Sequence, residues 1–446
     1  MRADSDGRRG AAPSTRPEDR ATAGPSIPSA TGGAWRAADA HAYEQDPVGF
    51  LTRAGQRCGD IFRFHRRSVF LNHPDTVHAV LAATGREIHA GRDLLNGFRR
   101  TPDEITDLWL RGRRAGRSGL TASAASAGAV RMRERLRAGL AAHADVPTDV
   151  PAVAPGLCSG PTLAYCLTEV PPALPALVGE TAERLNVVLD SSVPWPAWVP
   201  GSAAHRARAA VRSLAALLTE TVEGRLRDRA RHHPTDPEPD LLDTLLAGAD
   251  SPQDARAALQ MILSATHVIP GAALTWLIAE LAGREDVVAA IRAEVATLGW
   301  SGDLPYTTAV VRETLRLHPP VWLMTRDVAT PTEVGGYRVV PGDQLVFSPY
   351  LLHRDPRWWE APTEFRPERW LGTSLSGTTH RAHLPFGGGI RICAGYRLGL
   401  LHLTLAAALL STGYDLETVG ETDLTPTFQS VLVPTRLHAV WWPRAG

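Results

Sequence analysis

Apolar positions along the chain recur mostly at helical spacing. Residues 203–232 begin AAHRARAAVRSLAALL, with Ala and Leu on one side and Arg on the other, and predict a long amphipathic helix. A second long helix is predicted from about Gln253 to Gly283, closing on a glycine suited to a C-cap. The stretch ending AVVRETLRLHPP predicts a third helix, Leu398 to Leu410 a core helix, and DLWLRGRRAGR an Arg-rich one. Strand-like patterning is briefer. DIFRFHRRSVFLNHP predicts two short strands around a basic turn, after which Pro74 opens a helix over DTVHAVLAA. Residues 325–356 read as short strands with turns at Gly335-Gly336 and Pro341-Gly342, and TPTFQSVLVPTRLHAVWW as a final hairpin. The pattern is mainly α with small β-sheets (α+β), in a single large helical domain.

Elsewhere periodicity fades. Residues 1–39 are rich in Arg, Ala, Ser, Pro and Gly, with too few large apolar groups to order themselves, and read as a disordered leader. Order is expected to begin near Asp46-Pro47, within a domain spanning residues 40–446. Asp145 to Pro200 is Pro-rich and reads as irregular between helical pieces. SVPWPAWVP is expected to link two helices and HHPTDPEPD to form an exposed turn.

The 446 residues are 44% hydrophobic and 21% charged, as in a globular protein with a sizeable core. A formal net charge of zero gives no global field for nucleic acid or an anionic membrane. All 47 basic residues are Arg, which with the abundant Ala, Gly and Pro suggests a GC-rich bacterial genome. Four scattered cysteines, Cys58, Cys158, Cys166 and Cys393, point to a reducing compartment without a disulfide framework. The first three read as small buried hydrophobes. No apolar run is seen to reach the ~18 residues that span a bilayer, and no signal-peptide core opens the chain. A cytoplasmic protein without a membrane anchor is expected.

Cys393 stands apart. Gly387, Gly388 and Gly389 precede it, Gly395 follows it, and a helical run begins near Tyr396. Three successive glycines suit a loop whose backbone approaches something closely. A cysteine just before a helix N-terminus is expected to favour thiolate, and Arg391 can hold an anionic group beside a bound metal. Zinc requires three or four protein ligands, and no C-x-x-C is present. A single axial thiolate to haem iron fits the loop; a buried free cysteine is the alternative. The run Phe386-x-x-Gly389-x-Arg391-x-Cys393-x-Gly395 matches, at every fixed position, the haem-binding signature of the cytochrome P450 family, which the chain resembles from roughly Asp46 onward.

That resemblance implies haem b, with Cys393 as metal ligand and catalytic thiolate. Trp109 and Arg113 match the family's W-x-x-x-R pair, whose Arg meets a propionate; a solvated basic face is the alternative. Arg111, Arg114 and Arg117 are expected at the surface, available to an acidic electron donor. Arg326 matches another propionate position, and Val321, Trp322 and Leu323 ahead of it, with Gln429 to Val431, are expected at the pocket. Glu313 and Arg316 lie three apart and face one way. They form either a surface pair of little worth or, as the resemblance implies, a buried structural set with Arg369 that locks the Cys393 loop.

The distal helix departs from the family. Aligned on Leu274-Thr275-Trp276, Ala265 and Thr266 take the A-G positions, but Val268 stands at the acid and Ile269 at the catalytic Thr. Pro270 removes the bond to the Thr266 carbonyl, so a kink is expected there. Thr266 supplies one hydroxyl from a different turn position. His267 offers a proton donor but is expected to face sideways as a packed or surface histidine.

The resemblance implies foremost a monooxygenase oxidising an apolar small molecule in bacterial specialised metabolism, with electrons from an external ferredoxin or reductase. An electron-independent enzyme (peroxygenase, isomerase or dehydratase) is the second reading, and a non-catalytic haem or ligand binder the third.

Overall fold

The computed structural model describes residues 25–32, 35–89, 102–191, 195–229, 240–300, 303–372 and 375–444. In chain order these form α1 (Ala37–Gln45), α2 (Pro47–Cys58), β1 (Ile61–His65), β2 (Ser68–Leu71), α3 (Pro74–Ala83), β3 (Ile88–His89), α4 (Pro102–Ala115), α5 (Ala122–Ala141), β4 (Thr148–Asp149), α6 (Val150–Cys166), α7 (Leu174–Leu189) and α8 (Ala203–Arg229). There follow α9 (Leu241–Gly248), α10 (Pro252–Ser264), α11 (Val268–Ala282), α12 (Glu285–Leu298), α13 (Pro305–Leu317), β5 (Met324–Val328), β6 (Thr332–Val334), β7 (Tyr337–Val339), β8 (Gln344–Phe347), α14 (Pro349–Leu352), α15 (Gly377–Ala382), α16 (Tyr396–Gly413), β9 (Tyr414–Thr418), β10 (Asp423–Phe428), β11 (Leu432–Arg436) and β12 (His438–Pro443). The fold is mainly α with small sheets.

The elements read from residues 60–83 are present. β1 and β2 pair antiparallel with Phe62 opposite Phe70, and both rings are buried. His73 caps α3 by accepting the Asp75 N–H. The largest sheet runs β1-β2-β8-β5-β3. The expected final hairpin is β10–β11, while β12 leaves it to pair with β9 and β4. The main core gathers the apolar faces of α5, α6, α11, α13 and α16, with Trp276 and Trp441 buried in it.

Several expectations need correction. The leader is not free up to residue 39. Ser29 bridges to Arg63 of β1, Ala30 is buried, and Trp35 meets Tyr43, Phe50 and Phe64 edge-on. A few aromatic contacts order what composition alone read as a tail; residues 1–24 lie outside the described ones. Residues 145–200 are largely helical rather than irregular. α6 continues through Pro155 and Pro161. A proline at 161 cannot donate to the Leu157 carbonyl, and His402 of α16 hydrogen-bonds that carbonyl instead. The predicted links at 192–194 and 232–239 lie outside the described residues.

The distal helix is broken rather than kinked. α10 ends at Ser264, Ala265 and Thr266 bond back in tighter turns, and α11 restarts at Val268. Pro270 therefore sits in a first turn, where its missing N–H is no loss, and the chain reaches that arrangement by ending α10 four residues earlier. Gly271 then lets α11 lie against Pro155 of α6, where a Cβ would overlap that residue. The stretch Pro252–Ala282 is by length and composition apolar enough to cross a membrane, which corrects the reading that no run is; 61% of its most apolar window is buried inside the fold.

Candidate functional site

The loop before α16 carries Cys393. Its N–H donates to the Phe386 carbonyl at 2.9 Å, closing the glycine-rich turn. The close approach the glycines permit is to α3: Gly389 has φ +64°, and a Cβ there would overlap the Leu81 carbonyl. α16 begins at Tyr396, so its N-terminus lies just beyond the sulfur. The Cys393 side chain opens into a cavity. The Gly395 N–H and the Arg113 guanidinium favour the thiolate, yet burial outweighs them and pushes the thiol up.

Beside the loop stands a cationic cluster. Arg113 and Arg391 both lie over the Trp109 ring, at 5.2 and 4.7 Å from its centroid. Arg113 also donates to the Ile392 carbonyl at 3.0 Å, which ties α4 to the loop. Arg326 of β5 is buried and donates to Thr84 and to the Thr325 carbonyl. Burial and the nearby Arg391 lower its pKa to about 10. Burial lowers Arg391 as well, and its Nη1 has no hydrogen-bond partner. Arg114 and Arg117 are exposed as expected, while Arg111 is half-buried and pairs with Asp107 and Asp254.

The cavity, about 350 Å³, lies between this loop and the broken distal helix. Ala265, Thr266, Ile269 and Pro270 form one wall, and Trp109, Phe386, Arg391, Cys393 and Gly395 lie opposite or beneath. Val268 does not line it. Of the apolar residues expected ahead of Arg326, only Val321 does, joined by Pro320 and Met324. Trp322 instead packs on Phe428 and donates to the Gln429 carbonyl, and Leu323 joins the β1–β2 core, so neither Leu323 nor residues 429–431 reach the cavity. Sequence reasoning missed Met261 and Ile262. Their four-residue spacing from Ala265 and Thr266 was the available signal. A larger depression, about 640 Å³ and lined by Arg292, Tyr414 and Asp415, holds none of these groups.

Glu313, Arg316 and Arg369 do come together, the first two buried and Arg369 half-buried. Arg316 forks onto both Glu313 oxygens at 2.8 and 2.9 Å, and Arg369 Nε reaches Oε1 at 2.9 Å. The Arg366 N–H and the Trp370 indole N–H, neither of them anticipated, also donate to Glu313 at 2.9 Å. Five donors hold its carboxyl below the usual range despite burial. The surface-pair alternative is excluded.

A thiol facing an apolar cavity, with a half-buried guanidinium beside it whose Nη1 is unpaired, suits a large apolar group bearing iron and anionic arms. Arg326, buried, and Arg391, half-buried with a buried unpaired Nη1, have no ion pair among the described residues, and desolvated cations without a counter-ion favour an anion. The residues therefore fit haem with its propionates.

This arrangement is that of a haem-thiolate protein. The chain belongs to the cytochrome P450 family, whose sequence profile matches residues 174–441, and its cofactor is haem with an axial cysteine thiolate. It is 36% identical over 220 residues to cyclooctatin synthase of Streptomyces melanosporofaciens, covering 46% of this chain and 48% of that protein. It is 34% identical over 195 residues to protopine 6-monooxygenase of Papaver somniferum, covering 41% and 36%. The chain thus spans half or less of these relatives. Among solved structures, a retinoic-acid-bound cyanobacterial CYP120A1 matches with a TM-score of 0.73 at 19% identity, over 90% of this chain and 95% of that one, a likeness of fold.

Proposed function

We propose that the protein is a monooxygenase that inserts one oxygen atom into an apolar small molecule in bacterial specialised metabolism, with Cys393 as the residue that would ligate the haem iron. The observation that carries this reading is the unsatisfied Arg391 beside the Cys393 thiol in an apolar cavity. Haem held there would supply redox-active iron for oxygen chemistry, its reactivity tuned by the cysteine thiolate. Arg113, Arg326 and Arg391 would hold its propionates and fix its orientation. The Gly395 N–H hydrogen-bonds the sulfur and stabilises its negative charge. Leu120, Met261, Ile262, Ile269 and Val321 present an apolar wall that excludes water and orients the substrate by shape. The relatives named as a synthase and a monooxygenase support this chemistry. Electrons come from a separate redoxin, for which the exposed Arg114 and Arg117 offer charge.

One observation favours a second reading, an electron-independent enzyme. Ile269 places a hydrocarbon on the cavity wall where the family's proton-handling threonine stands. Turnover of candidate apolar substrates with NADPH and a surrogate ferredoxin system, set against peroxide alone, separates the two. Product that requires both reductant and oxygen is the expected result. Product from peroxide alone, or without any oxidant, transfers the assignment to the second reading.

A further inference from the structure

The break that Pro270 imposes leaves a histidine between solvent and the cavity wall. His267 is 7% exposed. Its Nδ1 lies 3.2 Å from Ser159 Oγ of α6, and its Nε2 lies 3.8 Å from Glu183 Oε1 of α7. The Glu183 side chain is 72% exposed, so one end of this chain of groups is in water. The ring fits closely over Gly179, where a Cβ would stand 3.3 Å from Cε1. Among the described residues Glu183 is the ionisable group that acts on His267: burial disfavours the imidazolium and Glu183 favours it.

The inner end points the same way. Ser159 lies three residues before Thr162, hence on one side of α6, and His267 directly follows Thr266. Thr162 and Thr266 are the hydroxyl side chains lining the cavity. Ser159 Oγ donates to the Gly156 carbonyl at 3.4 Å, which leaves it free to accept from an Nδ1–H, and when Glu183 carries the proton Nε2 faces it with its lone pair.

We propose that Glu183, His267 and Ser159 form the proton entry to the haem cavity, in place of the acid and threonine that Val268 and Ile269 replace. This rests on the monooxygenase reading. A solvent proton carried on Glu183 Oε1 passes to His267 Nε2. The Nδ1 proton passes to Ser159 Oγ as the serine hydroxyl turns away from the Gly156 carbonyl and releases its own proton on the side of α6 that carries Thr162, whose side chain lines the cavity. One proton enters, one leaves, and no electron moves. Reversal of the serine hydroxyl and return of the ring to its first tautomer reset the path. Glu183 and His267 are positioning and relay residues; neither touches the cofactor.

The test uses the haem-loaded protein with His267→Phe, which keeps the ring volume without nitrogens, and Glu183→Gln, a surface change that leaves the fold intact. Both should lower product per NADPH consumed about tenfold, with peroxide rising to match and the solvent isotope effect on turnover increasing. A readout independent of turnover is the ¹⁵N titration of the His267 ring in the diamagnetic ferrous–CO protein, assigned by its loss in His267→Phe. Glu183→Gln should shift its midpoint downward. Unchanged coupling and isotope effect in a well-folded His267→Phe, or a midpoint indifferent to Glu183, overturns the relay alone. A wild-type protein that makes product without NADPH overturns the monooxygenase reading and the relay with it, while the ring titration still responds to Glu183.

Discussion

His353 Nε2 accepts the backbone N–H of Leu384 at 2.8 Å, and Leu384 opens the loop that carries Cys393. The other ring nitrogen faces the Arg316 carbonyl at 2.9 Å, and Arg316 in turn donates to the His353 carbonyl at 2.8 Å. The imidazole is thus held as the Nδ1–H tautomer. Through it the Glu313–Arg316–Arg369 set reaches the ligand loop, and we infer that this link is how the set fixes the loop.

The His353 bond makes stability acid-sensitive. Burial takes the His353 pKa from its ordinary 6.5 to about 3. The unfolded chain therefore binds the proton more tightly, so the stabilisation is full above pH ~6.5 and is lost at about 1.4 kcal/mol per pH unit as pH falls toward 3. His353→Asn should be less stable than wild type at pH 7.5, with the gap narrowing by pH 5 in urea titrations. An unchanged gap would show that His353 does not carry the dependence.

Glu313→Ala should yield little haem-loaded protein. Removing the carboxylate leaves the buried Arg316 and half-buried Arg369 without a counter-ion, at a cost of about 3–5 kcal/mol. Haem absorbance per purified protein and the urea midpoint report the loss. A stable, haem-replete but inactive variant would instead give Glu313 a role in the chemistry.

Cys393→Ala should fold, since no core contact depends on the sulfur, and should lose the red-shifted absorption of the reduced CO complex that thiolate ligation gives. Persistence of that band would assign the iron to another ligand.

Gly389→Ala tests the loop itself. A side chain there meets both a left-handed φ and the Leu81 carbonyl, so α3 and the loop must separate, costing about 1–3 kcal/mol. Reduced haem retention at elevated temperature is expected, whereas Gly413→Ala, with open space around it, serves as a helical control. Equal retention in the two variants would remove the close approach as the reason for glycine at 389.

Where fixed residues at fixed spacing carry structure, the sequence was readable. The Cys393 loop, the shared face of Trp109 and Arg113 and the buried contact of Glu313 with Arg316 are found where the sequence put them, because each is short-range geometry on a helix or turn. What escaped was long-range. The Pro-rich stretch 145–200 reads as irregular, yet α6 runs on through Pro161, where His402, from far along the chain, takes up the freed Leu157 carbonyl. Trp322 reads as a pocket residue until Phe428 and the Gln429 carbonyl claim it. Pro270 marked the distal defect, but whether the helix bends or stops depends on α6, whose Pro155 fills the space above Gly271.

The distal wall yields the last prediction. Ile269 lines the cavity and Val268 does not, so the two missing polar side chains are not equivalent in this protein. Ile269→Thr places a hydroxyl on the wall, within the first turn of α11 where it can bond to water or substrate. Val268→Glu places a carboxylate away from the cavity, on a half-buried surface. If the native reaction uses external electrons, Ile269→Thr alone should raise product per NADPH for substrates lacking a polar group near the iron, and adding Val268→Glu should bring little more. A substrate with its own hydroxyl should show no gain, since it already organises a proton donor at that wall. If Val268→Glu proved the more effective change, the helix restart would have to present residue 268 to the cavity during turnover. If neither variant altered an electron-independent reaction, the hydrocarbon at 269 would be a feature of that chemistry and the second reading would gain.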